Sequence, residues 1–430
     1  MKIFLFEWKK LFKKRTTWIA AGLAAAVILA LYFFSFYTAE RIRSVNSLQA
    51  EQLQSMFGTM AEESRTERAK AERAGDHDAV QAMDEMIQKV ENSQKNYAQW
   101  QSDYQAHSWK RIYQKELEDL NLMLTDNGGS VIEEQPVSNF TLRATKAEKE
   151  WLMERKLEPL VQQTVYTSYL PTIYDAFTGR SAQAWEKIST RYGETGVGYT
   201  YTMMPNFYLP LLSLISCFVF GNSFSSQMNR KERGLHFALT QPVRKSTVFA
   251  ATYGSALLST VAFFLFLTGL PFLSSLFTRG FGSLQFPVLI YEGGTENPFY
   301  SKYNALNPVT DLFHFVPFQT YFLKALVLGI LLSLVLLGVY TLYSLLVKSP
   351  IVTVILTGGT AAAAWAIFQT SPYNPFMYLD VHGILNGTIA AEAFNPAFSF
   401  ETGVGVLAVT ALLLLVSNYL VFQWGSKRVV

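Results

Sequence analysis

The sequence predicts an all-α, polytopic membrane protein with six transmembrane helices, cytoplasmic N- and C-termini and a helical extracellular domain between the first and second spans. Three observations carry that prediction. Apolar runs long enough for a bilayer crossing, about 20 residues each, occur six times, near 18–37, 205–224, 247–277, 317–347, 351–369 and 404–422. Lys and Arg gather beside alternate span ends. One long polar block, 38–203, repeats its apolar residues at helical spacing.

Composition sets the class before any element is placed. Of 430 residues, 50% are hydrophobic, 15% aromatic and only 16% charged, whereas a soluble domain carries about a quarter charged residues. The deficit is uneven: the central block is strongly polar and most of the remainder is nearly uncharged. A net charge of +3 says little by itself, and no nucleic-acid partner is expected. The single cysteine, Cys217, falls inside the second apolar run, so no intramolecular disulfide staples the exterior. Its expected role is that of a small apolar packer.

Residues 1–16 read as an amphipathic interfacial helix. Phe4, Trp8, Leu11 and Phe12 recur at helical spacing, with Lys9, Lys10, Lys13 and Lys14 on the opposite face and Arg15 beyond them. Such a helix lays its aromatic face on the membrane and turns its lysines to anionic headgroups, which makes membrane lipids a partner. A basic flank that only sets topology is the alternative. The first span, 17–37, has too long an apolar region for a secretory signal and lacks a small-x-small cleavage site, so it is expected to be retained.

The block 38–203 is the outer domain. Leu53, Met56, Phe57 and Met60 mark one helix, and after the turn signal Gly75-Asp76 the pattern resumes with Val80, Met83, Ile87 and Val90. Tyr113, Leu117, Leu120 and Leu124 continue it until Asp126-Asn127-Gly128-Gly129. Two long amphipathic helices folded as a hairpin follow from this spacing. A further helix is expected over 145–158, and Pro159 can open the next one. Disorder is the rival reading, given abundant Glu, Gln, Lys and Ser.

The second span, 204–226, leads into a cytoplasmic loop or helix, 227–245, and then the third span, 246–277. The outer loop, 278–315, holds Tyr291-Glu292-Gly293-Gly294-Thr295-Glu296-Asn297-Pro298, and its stretch 279–311 is expected to be irregular. The fourth and fifth spans occupy 316–347 and 350–370. Residues 371–401 contain Asn374-Pro375-Phe376 followed by pieces too short to cross, which suits re-entrant or surface-lying helices. The sixth span, 402–424, and a tail, 425–430, complete the chain.

Orientation follows from the basic residues. Lys9 to Arg15 precede the first span, and Arg230, Lys231, Arg233, Arg244 and Lys245 lie between the second and third. Lys348 sits between the fourth and fifth, and Lys427 and Arg428 follow the sixth, while the short opposite loops offer only Arg279 and Lys302. This places every basic cluster in the cytoplasm and residues 38–203 outside.

Catalytic signatures are missing. No G-x-x-x-x-G-K-[ST] cradles a nucleotide phosphate, and no H-E-x-x-H occurs. Gly358-Gly359-Thr360 sits within the fifth span, where tight helix packing explains glycines better. His77, His107, His236, His314 and His382 are too scattered to suggest a metal site. The expectation is therefore no catalytic residue, no metal and no cofactor on this chain. Lys324 is the clear charge within a span; near a helix end a lysine snorkels to the interface. The remaining path is apolar and aromatic, which suits an amphiphilic cargo.

The segment 225–245 has a bland reading as a solvated loop obeying the positive-inside rule. Against that, Leu235, Phe237 and Leu239 can dock into a partner's groove, Glu232 can accept a charge-assisted bond, and Pro242 stops the helix.

Here the chain resembles the membrane subunits of ABC-2 type transporters. Their cytoplasmic loop runs from an acidic residue through glycine and a leucine-bearing turn to Pro-x-Arg, matched in order by Glu232, Gly234, Leu239, Pro242 and Arg244, with Leu235 beside them. An asparagine-proline-aromatic motif in short outer helices is matched by Asn374, Pro375 and Phe376. The likeness covers nearly all of the chain outside 38–200 and is similar to permeases of Gram-positive bacteria that handle peptides, antibiotics or lipids. The large outer domain departs from compact relatives.

The resemblance implies a bacterial cell-membrane permease of an ATP-driven exporter. It implies a second permease subunit as partner, identical or related, and a separate ABC ATPase subunit that carries ATP and Mg. An amphiphilic peptide or antibiotic, exported for resistance or secretion, is the expected cargo, with a lipid-like molecule or sodium as alternatives. Two other classes stay open: a membrane-anchored sensor or adaptor using its outer domain, and a membrane-embedded enzyme acting on lipids or peptides.

Overall fold

The computed structural model describes residues 2–125, 129–221, 224, 243–292, 313–347, 349–368 and 371–427. The protein is mostly helical, and these residues form two compact units. One unit holds the residues up to Phe34 together with those from Thr195 onward, and the other holds Ser35–Glu194.

The first unit contains the apolar helices. Helix α1 (Lys2–Lys13) breaks at Lys14, and α2 (Arg15–Ala74) starts here and continues into the second unit. Five helices among the described residues are long and apolar enough to cross a membrane: α2, α9 (Lys245–Ser275), α10 (Phe318–Val347), α11 (Pro350–Ile367) and α14 (Phe400–Lys427). The sixth expected span is bent. Helix α7 (Gly196–Met203), with one 3-10 turn, meets α8 (Tyr208–Phe220) at 85°, so the pair is either one broken span or a re-entrant element. Phe207 makes the corner in a left-handed conformation (φ 53°), which is unusual for a bulky residue. Of the second span expected at 204–226, the described residues show α8 with the bend at Phe207 near its start.

Helix starts follow local chemistry. Pro350 occupies the first turn of α11, where its missing N–H has no partner to lose. Arg244 is extended (φ −61°, ψ 133°), and its carbonyl accepts from Thr247 N at 2.9 Å to open α9.

Helix α10 is more deeply enclosed than α2, α11 or α14. Small residues let its neighbours approach: Gly329 lies against the Phe264 ring and Gly338 against Leu414. Asn418 Nδ2 donates to Gly338 O at 2.9 Å, and Ser333 Oγ donates to Ser213 Oγ at 2.9 Å. Cys217 is a buried packer, its Sγ 3.7 Å from Ser333 O. Among the described residues, nothing lies within 4 Å of the position of a Cβ at Gly359 in α11.

The outer loop expected to be irregular carries a ribbon instead. Strands β3 (Pro287–Tyr291) and β4 (Phe313–Pro317) pair antiparallel, Val288 opposite Val316. The β-branched and aromatic residues of both strands suit a pleated ribbon, with β3 the more buried of the two.

The second unit is built from α2, α3 (His77–Gln105), α4 (Trp109–Thr125), α5 (Asn139–Glu154) and α6 (Gly179–Ser189), with a two-residue ribbon of β1 (Val131–Ile132) and β2 (Gln135–Pro136). The expected hairpin is present. Gly75 takes φ 72° and Asp76 caps α3 by accepting from Ala79 N at 3.0 Å. Across it, Phe57 stacks on Tyr97, and Arg65 and Arg68 pair with Glu91 and Asp84.

Two expectations here are corrected. The second arm breaks at Ala106–Ser108, where His107 takes φ 55°. The next helix spans Asn139–Glu154, capped by Ser138, and Pro159 opens no helix. Residues 157–178 run without a helix, pinned by buried polar groups. Gln162 Nε2 donates to Tyr169 O and Ser189 O, while Glu116 Oε1 accepts from Ser168 N and Oγ. Buried pairs Lys149–Glu116 (3.0 Å) and Arg191–Glu148 (2.6 and 2.7 Å) stand behind them. A hydrophobic cluster of Leu120, Val137, Leu142 and Tyr169 fills the space between.

Candidate functional site

Two regions of the first unit hold the residues singled out by sequence. The first gathers around Arg244. The expected contact residues Glu232, Gly234, Leu235, Leu239 and Pro242 lie outside the described residues, as does the Gly221-to-Val243 connection except for Phe224. What the structure does describe is their frame. Phe224, Val248, Phe249, Tyr253, Leu345 and Phe422 form one buried cluster. Ends of α9, α10 and α14 thus meet at Phe224, with Val243 packed against the same cluster.

Helix α1 joins this region. Trp8 Nε1 donates to Ser259 Oγ of α9 at 3.1 Å, Phe4 lies 3.5 Å from the position of a Cβ at Gly254, and Phe12 meets Phe220 with centroids 5.6 Å apart. The aromatic face expected to rest on lipid also contacts neighbouring helices through Phe4, Trp8 and Phe12. Leu5, Phe6 and part of Trp8 remain exposed. Lys9 and Lys13 are exposed and Lys10 and Lys14 half-buried, while Arg15 begins α2. The helical spacing was legible, but spacing alone does not distinguish a protein groove from a membrane surface.

The second region is the corner after α11. Asn374 Nδ2 donates to Ala364 O at 3.0 Å, and its Oδ1 accepts from Phe376 N at 3.1 Å. One side chain therefore closes α11 and starts the 3-10 turn Pro375–Leu379, in which Pro375 fits the first position. Tyr378, fully buried, donates to Pro372 O at 2.7 Å and packs where Gly403 leaves no side chain. Short helices α12 (Val381–Leu385) and α13 (Thr388–Ala393) follow, as expected for pieces too short to cross.

A polar chain that the sequence did not announce runs from this corner into α10. His382 Nδ1 lies 2.7 Å from Tyr321 Oη and its Nε2 3.0 Å from Asn386 Nδ2. Asn386 Oδ1 accepts from Thr388 N, so its amide nitrogen faces the ring and donates. Nε2 is then the acceptor, the proton sits on Nδ1, and Nδ1–H donates to Tyr321. Burial pushes the His382 imidazole down to about 4 and raises the Asp380 carboxyl, whose Oδ1 accepts from Gly383 N. Asn386 O also accepts from Tyr291 N at 2.7 Å, locking β3 to α12. The available signal was Asp380 as a helix cap with His382 and Asn386 one turn apart.

Comparison of the chain with protein-family models, curated proteins and solved structures returned no match.

Lys324 is exposed in the second turn of α10, its Nζ 5.3 Å from the Phe400 ring centre, consistent with a lysine near a helix end. Among the described residues, no three His, Cys, Asp or Glu side chains gather as a metal site.

Proposed function

We propose that the chain is the membrane-spanning permease subunit of an ATP-driven, ABC-2 type exporter that moves an amphiphilic cargo outward. The observation that carries this reading is the ordered set Glu232, Gly234, Leu239, Pro242 and Arg244 placed between two apolar helices, with every basic cluster at alternate span ends. The aromatic cluster around Phe224, Phe249 and Phe422 supports it, because it supplies a stiff receiver beside that segment. A separate ATPase subunit, binding ATP and Mg, docks on Glu232–Leu239; its closure pushes the segment and shifts α9, α10 and α14 together. A second permease subunit, identical or related, completes the path, and the chain resides in a bacterial cell membrane with residues 38–203 outside.

The test is a double charge reversal, Glu232→Arg with Arg244→Glu, in cells loaded with a fluorescent amphiphile. Export should fall to background while the amount of chain in the membrane stays constant. Unchanged export and unchanged ATPase association would refute the coupling role.

A second reading, a membrane-anchored sensor, is favoured by one feature: Ser35–Glu194 forms a compact unit with its own core. It predicts signalling without cargo movement.

A further inference from the structure

The second unit contains a cleft between α3, α4 and the irregular stretch 157–178. Its outer part has a volume of about 390 Å³, within the range of sites that hold drug-sized ligands. Tyr97, Trp100, Tyr166 and Tyr169 supply aromatic walls, and Asp119 and Lys115 stand among the lining residues. Tyr97 is held from behind by stacking on Phe57 (5.6 Å), and Lys115 Nζ lies 5.9 Å from the Tyr97 ring centre.

A smaller chamber of about 40 Å³ adjoins it, with Trp100, Glu116 and Tyr166 lining both. That volume exceeds the ~10–15 Å³ one water-sized group requires. Asn46 lines this chamber at 1% exposure. Its amide nitrogen is committed to Gln162 O at 2.7 Å and to Tyr104 Oη at 3.3 Å, which fixes the side-chain orientation. Asn46 Oδ1 is then a buried acceptor, and Trp109 Nε1 a buried donor, each without a hydrogen-bond partner among the described residues. Native proteins rarely leave such atoms unpaired.

We infer that this cleft binds a short peptide, one backbone amide of which enters the inner chamber, its N–H to Asn46 Oδ1 and its C=O to Trp109 Nε1. A secondary amide carries a donor and an acceptor on separate atoms of one planar group, which is the complement of this pair. An apolar or aromatic side chain of the peptide lies against Tyr97 and Tyr166, where rings add stacking to burial. Asp119 and Lys115 offer one charge of each sign to a terminus or a charged side chain. Burial raises the Asp119 carboxyl, consistent with incomplete neutralisation by Lys115. The site does not depend on the transport reading, since nothing in it involves an ATPase or a pathway.

Calorimetric titration of the full chain in lipid nanodiscs, with a panel of N-acetylated tripeptide amides bearing one aromatic residue, tests the inference. At least one peptide should bind with one-to-one stoichiometry. Trp109→Phe keeps the ring and removes only the N–H, and should weaken that peptide about tenfold, the scale of one buried hydrogen bond. Tyr166→Ala, at an exposed side chain, should weaken it several-fold and decides the matter if Trp109→Phe does not fold. The inference is overturned if no peptide binds, if both variants bind like the parent, or if a trisaccharide such as maltotriose binds more tightly than every peptide. Each of those results leaves the export assay untouched.

Discussion

Trp8 Nε1 donates a hydrogen bond to Ser259 Oγ at 3.1 Å, fastening the N-terminal helix to the middle of α9. Ser259 is buried, so losing the donor leaves its hydroxyl without this partner. Trp8→Phe keeps most of the packing and should lower stability by about 1 kcal/mol. Trp8→Ala also removes the ring contact with Phe12 (5.3 Å) and should lower it more. The apparent unfolding midpoint in detergent reads both, and equal midpoints for the two variants would remove the packing part of this account.

Asn374 serves two partners at once, Ala364 O and Phe376 N. Asn374→Ala should cost about 1–2 kcal/mol, the range for a helix cap. Asn374→Asp retains the acceptor for Phe376 N but cannot donate to Ala364 O, and should fall between the two. Thermal unfolding of the three proteins in one detergent orders them.

His382 gives the chain a pH dependence with a definite sign. Its folded value, about 4, lies below its ordinary value near 6.5 because burial disfavours the imidazolium. Between those values the unfolded chain binds the proton and the folded chain does not, so stability falls as pH falls from about 6.5 and the loss is complete below about 4. His382→Gln should flatten that part of the profile. An unfolding midpoint in the parent that stays constant from pH 6.5 to 4 would contradict it.

The buried Arg191–Glu148 pair holds the middle of the irregular stretch, with Arg191 Nη2 also donating to Tyr169 O at 3.2 Å. Arg191→Met leaves a buried carboxylate unpaired and should destabilise the outer unit by about 3–5 kcal/mol. Glu148→Leu with Arg191→Met should recover much of that loss. Protease cleavage within residues 157–178 supplies the readout, and a double variant cleaved faster than Arg191→Met would reverse the sign of the coupling.

Elements governed by local chemistry were legible in the sequence. The α2–α3 turn was visible in Gly75-Asp76, and the corner after α11 in Asn374-Pro375-Phe376, because caps and prolines act within a few residues. The bend at Phe207 was not, since no local preference places a phenylalanine at positive φ; packing overrides it. The β3–β4 pairing joins strands whose partners, such as Tyr291 and Phe313, are separated by a long connection. His382 looked isolated for a similar reason: Tyr321 lies 61 residues away. The course of 157–178 depends on Asn46, Glu116 and Lys149, buried polar groups supplied by three other helices. Burial of a charge cannot be read from spacing alone.

The export reading stands or falls on a partner. Purification of the chain from its native membranes in a mild detergent, followed by assay of vanadate-sensitive ATP hydrolysis, tests it most directly. The account predicts a stoichiometric ATP-hydrolysing subunit that is released by Glu232→Arg with Arg244→Glu. A chain that purifies intact without any ATPase, or one whose ATPase is unaffected by that double reversal, would contradict it.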